Sequence, residues 1–158
     1  MSDAIAFTVY GRPAPAGSKR VLPAGGRAGG RPIVVDDSKR SRPWKQDVAA
    51  TAAAAMNGRP LLEGPLGLEL VFYVSRPKSH YGALGVRPSA PAWPTVKPDV
   101  LKLARAVEDA LTGQVWRDDA QVVRELLTKR YGEPERVEIW VAVQAEPPTA
   151  DGASEAVS

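Results

Sequence analysis

No cysteine occurs among the 158 residues, and histidine occurs once, at His80. The first absence excludes a disulfide framework and any thiolate-bound zinc or iron–sulfur centre. The second excludes a histidine-rich metal site, so a metal here has to sit on oxygen ligands. No apolar run approaches the roughly 20 residues that span a bilayer. The N-terminus lacks the basic start and apolar core of a secretory signal, so the chain reads as cytoplasmic with no membrane partner. What remains is ordinary: 44% hydrophobic and 25% charged residues are the composition of a globular domain. The length suits one domain of roughly 100–200 residues with a real core.

The net charge of +3 conceals a division. Residues 1–45 carry nine basic and three acidic residues, whereas residues 131–158 carry one basic and six acidic. The body up to residue 130 therefore holds +8 and the remainder −5. A basic body suits a polyanion. Interspersed surface charge is the plainer explanation, and charge alone favours it slightly.

Periodicity gives the order β-β-α-β-α-β-β. Ile5 to Tyr10 is β-branched and aromatic, as a strand requires. A glycine-rich loop follows (mobile near 17–31), and Pro32 to Val35 reads as a short strand pairing back. Pro43 opens an alanine-rich helix that runs to Met56, and Asn57-Gly58 stops it. Leu66, Leu68, Leu70, Phe72 and Val74 alternate as in a half-buried strand. Residues 75–98 hold five prolines and form a second mobile loop, too long for a mere connector. Asp99 to Leu111 is helical, with Asp99 as N-cap and Gly113 as its stop. Val122 to Arg130 and Arg136 to Gln144 read as two strands joined by a turn. The expected fold is α+β: one domain over 1–145, a mixed or antiparallel sheet, and two helices packed on one face. Residues 146–158 read as a disordered acidic tail.

Three carboxylates stand out: Asp99, Asp118 and Asp119. Clustered aspartates offer the hard oxygens that magnesium requires, and such a metal activates water against a phosphodiester. On the residues alone a cap at Asp99 and a turn at Asp118-Asp119 are the commoner explanations. A 13-residue helix of roughly 20 Å also separates them, unless 113–119 turns back along it.

Lys97-Pro-Asp-Val-Leu-Lys-Leu-Ala-Arg-Ala-Val-Glu-Asp-Ala-Leu-Thr-Gly113, followed by Val115-Trp-Arg-Asp-Asp-Ala-Gln-Val-Val123, resembles the RusA family of Holliday-junction resolvases. Gly11-Arg-Pro-Ala-Pro, the Trp44-Lys-Gln-Asp helix and Arg76-Pro-Lys-Ser-His-Tyr-Gly82 are similar to the same family, the last to its phage-type members. The resemblance spans about residues 5–144. It implies a homodimeric endonuclease that resolves four-way DNA junctions by paired nicks, using Mg2+ with Mn2+ as a substitute. By motif, Asp99 matches the first catalytic aspartate. Asp119 matches the essential ligand of the Asp-Asp pair, and Asp118 is its neighbour. Arg105 stands where the family has a catalytic lysine or arginine, suited to the scissile phosphate.

One departure matters. Where the family has a second aspartate this chain has Leu101, which cannot bind magnesium. Glu108 is two turns further, roughly 11 Å along the helix, and replaces that ligand only if the site is displaced. Asp109 is expected to support the fold or to orient Arg105 or Lys102. Phosphate contacts are expected from Arg12, Lys19, Arg20, Lys39, Arg40, Arg76, Lys78, Lys97 and Lys102. His80 reads as an exposed loop residue. Trp44, Trp116 and Trp140 are expected in core or dimer packing, with Trp93 facing DNA. Leu101 keeps alive an alternative: a structure-selective DNA-binding protein whose nuclease site has decayed. A basic adaptor or RNA-binding module is the third reading.

Overall fold

The computed structural model describes residues 3–17, 19–22, 33–36 and 39–149. The glycine-rich stretch within 23–32 and the end of the acidic tail, 150–158, lie outside that description.

The chain folds as α+β, with two helices and a mixed four-stranded sheet. Strands β1 (Ala4–Tyr10), β4 (Leu66–Val74), β7 (Val122–Tyr131) and β8 (Arg136–Val143) make the sheet in the order β1-β8-β4-β7. β8 runs antiparallel to β1 and to β4, while β4 and β7 are parallel. Parallel neighbours need a crossover, and helix α2 (Val100–Leu111) provides it. Helix α1 (Ser41–Met56) lies over β1, and α2 lies between α1 and β7.

Alternation in β4 decides which face is covered. Leu66, Leu68, Leu70 and Phe72 are at most 2% exposed. They meet Trp44, Val48, Ala52 and Met56 of α1 and Leu103, Val107 and Leu111 of α2 in one core cluster. Each helix buries residues three or four apart, as a helix on a sheet must. Gly11 follows β1 at φ +137, and a Cβ there would lie 3.2 Å from the Trp44 ring. The opening Gly-Arg-Pro is thus fitted to the first turns of α1.

The sequence order needs two additions. β2 (Lys19–Leu22) pairs antiparallel with β3 (Ile33–Asp36), so part of the expected 17–31 loop is a strand. Alternation was too short there to separate it from a loop. Within the expected loop 75–98, a single 3-10 turn at Lys78–His80 leads into a hairpin of β5 (Tyr81–Gly82) and β6 (Gly85–Val86). That loop is anchored. The Arg76 guanidinium lies 4.4 Å from the Tyr131 ring centre and donates to the Pro91 carbonyl at 2.8 Å. His80 packs edge-on against Tyr131 at 5.5 Å, so it is half-buried rather than simply exposed. No helix among the described residues is long and apolar enough to cross a membrane.

Candidate active site

The Asp-Asp-x-Gln-Val block is a small constructed corner. Asp118 caps a single 3-10 turn, Asp119–Gln121, by accepting from the Ala120 amide at 2.9 Å. Gln121 Oε1 accepts from the amides of Arg117 at 3.0 Å and Asp118 at 3.1 Å. Its Nε2 donates to the carbonyls of Leu62 and Gly64 at 3.0 and 3.2 Å. Asp118 and Gln121 form a reciprocal capping box. The box fixes the corner to the segment entering β4, and Asp119 stands exposed upon it. A hollow of about 570 Å3 between residues 61–65 and 117–123 borders Asp118.

From this corner β7 runs back along α2. Glu125, Leu127 and Lys129 pair in register with Leu68, Leu70 and Phe72, so they share the helix-covered face. At one end the Glu108 side chain of α2 hydrogen-bonds that of Glu125. At the other, Lys129 Nζ donates to the carbonyls of Val96 and Pro98 at 2.7 and 3.0 Å. Four strand residues span about 13 Å, and the nine helical residues from Glu108 back to Asp99 cover about the same. Asp99 and Asp119 therefore stand at opposite ends of α2. They do not converge within a protomer.

Asp119 instead lies near enough for its charge to act on Glu108 of α2, which meets Glu125 of β7. Burial, the Glu125 hydrogen bond and the charges of Glu125, Asp119 and Asp109 push the Glu108 carboxyl up to about 8. Asp99 is not among the charges acting on it. Asp109 pairs with Lys45 of α1 at 3.1 Å, tying the helices together rather than orienting Arg105 or Lys102. Among the described residues, no three Asp, Glu or His side chains converge closely enough to enclose a metal ion.

Asp99 occupies the N-cap position, yet its side chain makes no capping hydrogen bond, contrary to the sequence expectation. Its exposed carboxylate is left uncommitted by the helix. Leu101 is 69% exposed, where an apolar side chain gains little from packing. Leu101, Arg105 and Glu108 follow one another at helical spacing, forming a stripe from Asp99 towards Asp119. Lys102 is exposed, and its carbonyl accepts from the Ala16 amide at 2.9 Å, which brings the chain leading to Lys19 and Arg20 against α2. Lys97 is exposed just ahead of Asp99, and Lys78 in the anchored loop. Arg12, Lys39 and Arg40 are exposed at the strand and helix boundaries. Arg76 is committed to Tyr131 and Pro91, a structural use that its place in a basic run did not reveal.

Sequence reasoning missed Gln121, Glu125 and Lys129. The signal for the first was the Asp-x-x-Gln spacing of a capping box. For the other two it was a charged residue at inward positions of an alternating strand.

A Bacillus subtilis (strain 168) protein described as uncharacterized protein YqaN is 34% identical over 144 residues, covering 88% of this chain and 96% of that protein. A family model described as Endodeoxyribonuclease RusA matches residues 11–142. That span takes in both helices, the anchored loop, the capped corner and β7, so the chain belongs to the RusA endodeoxyribonuclease family.

Proposed function

We propose that this protein is a magnesium-dependent endonuclease that resolves four-way DNA junctions by paired nicks, acting as a homodimer. The family's activity is endodeoxyribonucleolytic and directed at branched DNA. The observation that carries the finer reading is Asp119, exposed on a stapled corner beside Glu108 and Glu125, within an otherwise basic body.

The donor set fits magnesium. All three side chains offer hard oxygens, and magnesium commonly takes one or two carboxylates and keeps its waters. Asp119 is the residue to hold it, with the Glu108–Glu125 pair nearby rather than closed around the same point. Of the other aspartates, Asp118 is engaged in its cap and Asp99 lies about 13 Å along the helix. A magnesium ion bound there supplies a Lewis acid for the phosphate and a more acidic water. Arg105, one turn before Glu108, places a guanidinium where charge builds on the phosphate. Lys97, Lys102 and Lys78 are exposed cations available to the flanking phosphates. Two symmetric copies suit the near two-fold symmetry of a four-way junction.

The test is incubation with synthetic four-way junctions, with magnesium or manganese against chelator. Paired nicks that need the metal and vanish in Asp119→Asn support the reading. Activity surviving that substitution removes the assigned site. Leu101 and the distance of Asp99 favour a second reading, a junction-binding protein with a decayed site. Tight junction binding without any nicks selects it. Equal affinity for linear duplex and junction favours the basic adaptor instead.

A further inference from the structure

Between Glu69 and Asp99 the chain has no aspartate or glutamate, and it carries Arg76, Lys78, Arg87 and Lys97. Exposed apolar side chains gather in the same segment. Of the ten large hydrophobic residues that stand exposed among the described residues, five are here: Tyr81, Leu84, Val86, Trp93 and Val96. Folding gains nothing from apolar groups left in water among cations. They suit a partner that is anionic outside and apolar within, and stacked DNA is such a partner, with phosphates around flat bases.

The β5–β6 hairpin is built to project. Tyr81 pairs with Val86 and Gly82 with Gly85, which leaves Ala83 and Leu84 as a two-residue tip. Leu84 is fully exposed there. The base of the hairpin is held. The Arg87 amide donates to the His80 carbonyl at 2.8 Å, and Arg87 Nε donates to the Tyr81 carbonyl at 3.1 Å. Arg76 and His80 rest on Tyr131 of β7. From this base to the tip is roughly 10 Å of strand, more than the depth of a DNA groove, about 8 Å. A hairpin already held loses little freedom on insertion. Trp93 has the Arg130 guanidinium over its ring at 5.7 Å, whereas Leu84 is uncommitted.

We propose that the β5–β6 hairpin is a wedge for branched DNA, with Leu84 entering between bases at the branch point while Lys78, Arg87 and Lys97 hold nearby phosphates. Inserting an apolar side chain costs the stacking of that base step. At a branch point the stack is already interrupted, so the cost is least there. The tip thereby discriminates a junction from linear duplex.

Branched DNA as the ligand rests on the proposed function, but insertion needs no cleavage and is read in chelator. The probe is a synthetic four-way junction with 2-aminopurine at the branch point, whose fluorescence rises when that base unstacks. The full chain is expected to raise it severalfold. Leu84→Ser is expected to leave it near that of free junction and to bind the junction about tenfold more weakly, the size of one stacking contact, with affinity for linear duplex retained. Leu84→Met is expected to keep both opening and discrimination. Leu84→Lys is expected to bind both DNAs more tightly without opening the branch. Melting and circular dichroism are expected to stay those of the parent in all three, since Leu84 lies outside the core. Opening by Leu84→Ser equal to that of the parent overturns the wedge. So does an equal loss of affinity for junction and duplex, which makes Leu84 a general contact. A parent that leaves the fluorescence unchanged overturns it too and leaves the tip to a protein partner. Adding magnesium keeps the two readings apart. Opening without nicks retains the wedge and removes the nuclease, and nicks without opening do the reverse.

Discussion

Glu108 of α2 and Glu125 of β7 meet through a side-chain hydrogen bond, two acids in contact where helix and strand close on each other. Such a pair persists near neutral pH by keeping one proton, and Glu108 holds it up to about 8. Nothing in a stability argument favours two acids at this junction. A cation that displaces the shared proton does.

The pair sets a pH dependence. Below the ordinary value of 4.5, Glu108 is protonated whether the chain is folded or not. Between 4.5 and about 8 the folded chain holds a proton that the unfolded chain has released. Stability therefore falls as pH rises through that window and levels off above it. Glu108→Gln removes the proton without removing the shape. It is expected to match the parent at pH 4.5 and exceed it at pH 8.5 by about 1 kcal/mol, after discounting for a half-exposed pair. That corresponds to about 2–4 °C in Tm. Magnesium is expected to stabilise the parent at pH 8.5 and less so the variant. Parallel melting curves across pH for the two proteins refute the account.

The adjacent aspartates divide their labour. Asp118→Asn keeps an oxygen for the Ala120 amide, so fold and nicking are expected to persist within about tenfold. Asp119→Asn leaves the capping box untouched and is expected to cost nicking about 100-fold or more while the Tm holds. Gln121→Ala deprives four backbone groups of their partner and is expected to cost about 1–3 kcal/mol of stability. Melting and junction cleavage on the three variants separate these roles. Equal losses in both aspartate variants count against the division.

Leu101 offers a gain. It is 69% exposed on the stripe between Asp99 and Arg105, so Leu101→Asp is expected to change stability by no more than about 0.5 kcal/mol. A carboxylate there links the uncommitted Asp99 to the rest of the stripe. Metal-dependent nicking is expected to rise about tenfold, the effect of roughly 1.4 kcal/mol on the barrier. An unchanged rate, with Asp99→Asn also silent, assigns the chemistry to the Asp119 end alone.

The strands that face the core were legible because period two and burial coincide, as in Leu66 to Phe72. So was α2, whose apolar stripe and Gly113 stop left little choice. The site was harder. Motif resemblance placed Asp99 and Asp119 in one set, but helix rise puts them at opposite ends. Glu108 was judged by its distance from Leu101, and nothing in the sequence announced that β7 would bring Glu125 to it. Parallel pairing of β4 with β7 decides that, and parallel register is carried by the crossover rather than by any local turn. Likewise, β2 and β3 are four residues each, too short for alternation to stand out from their glycine-rich setting.

Lys129 makes the last case. It is an inward lysine on β7, half-buried, and its ammonium serves two carbonyls just ahead of Asp99. Lys129→Met retains the length and apolar stem but leaves the Val96 and Pro98 carbonyls without their donor. About 1–3 kcal/mol of stability is expected to go, as for a charged hydrogen bond. The loss is local, since Val96 is 64% exposed and the core contacts of α2 remain. The entry to α2 is then released, taking Lys97 and Asp99 from their places. Junction affinity is expected to weaken with the salt dependence shallower by about one phosphate contact. Hydrogen exchange is expected to quicken over residues 95–103 and not over α1. Quickening spread evenly over the chain indicates general destabilisation and counts against Lys129 as the residue that positions the start of α2.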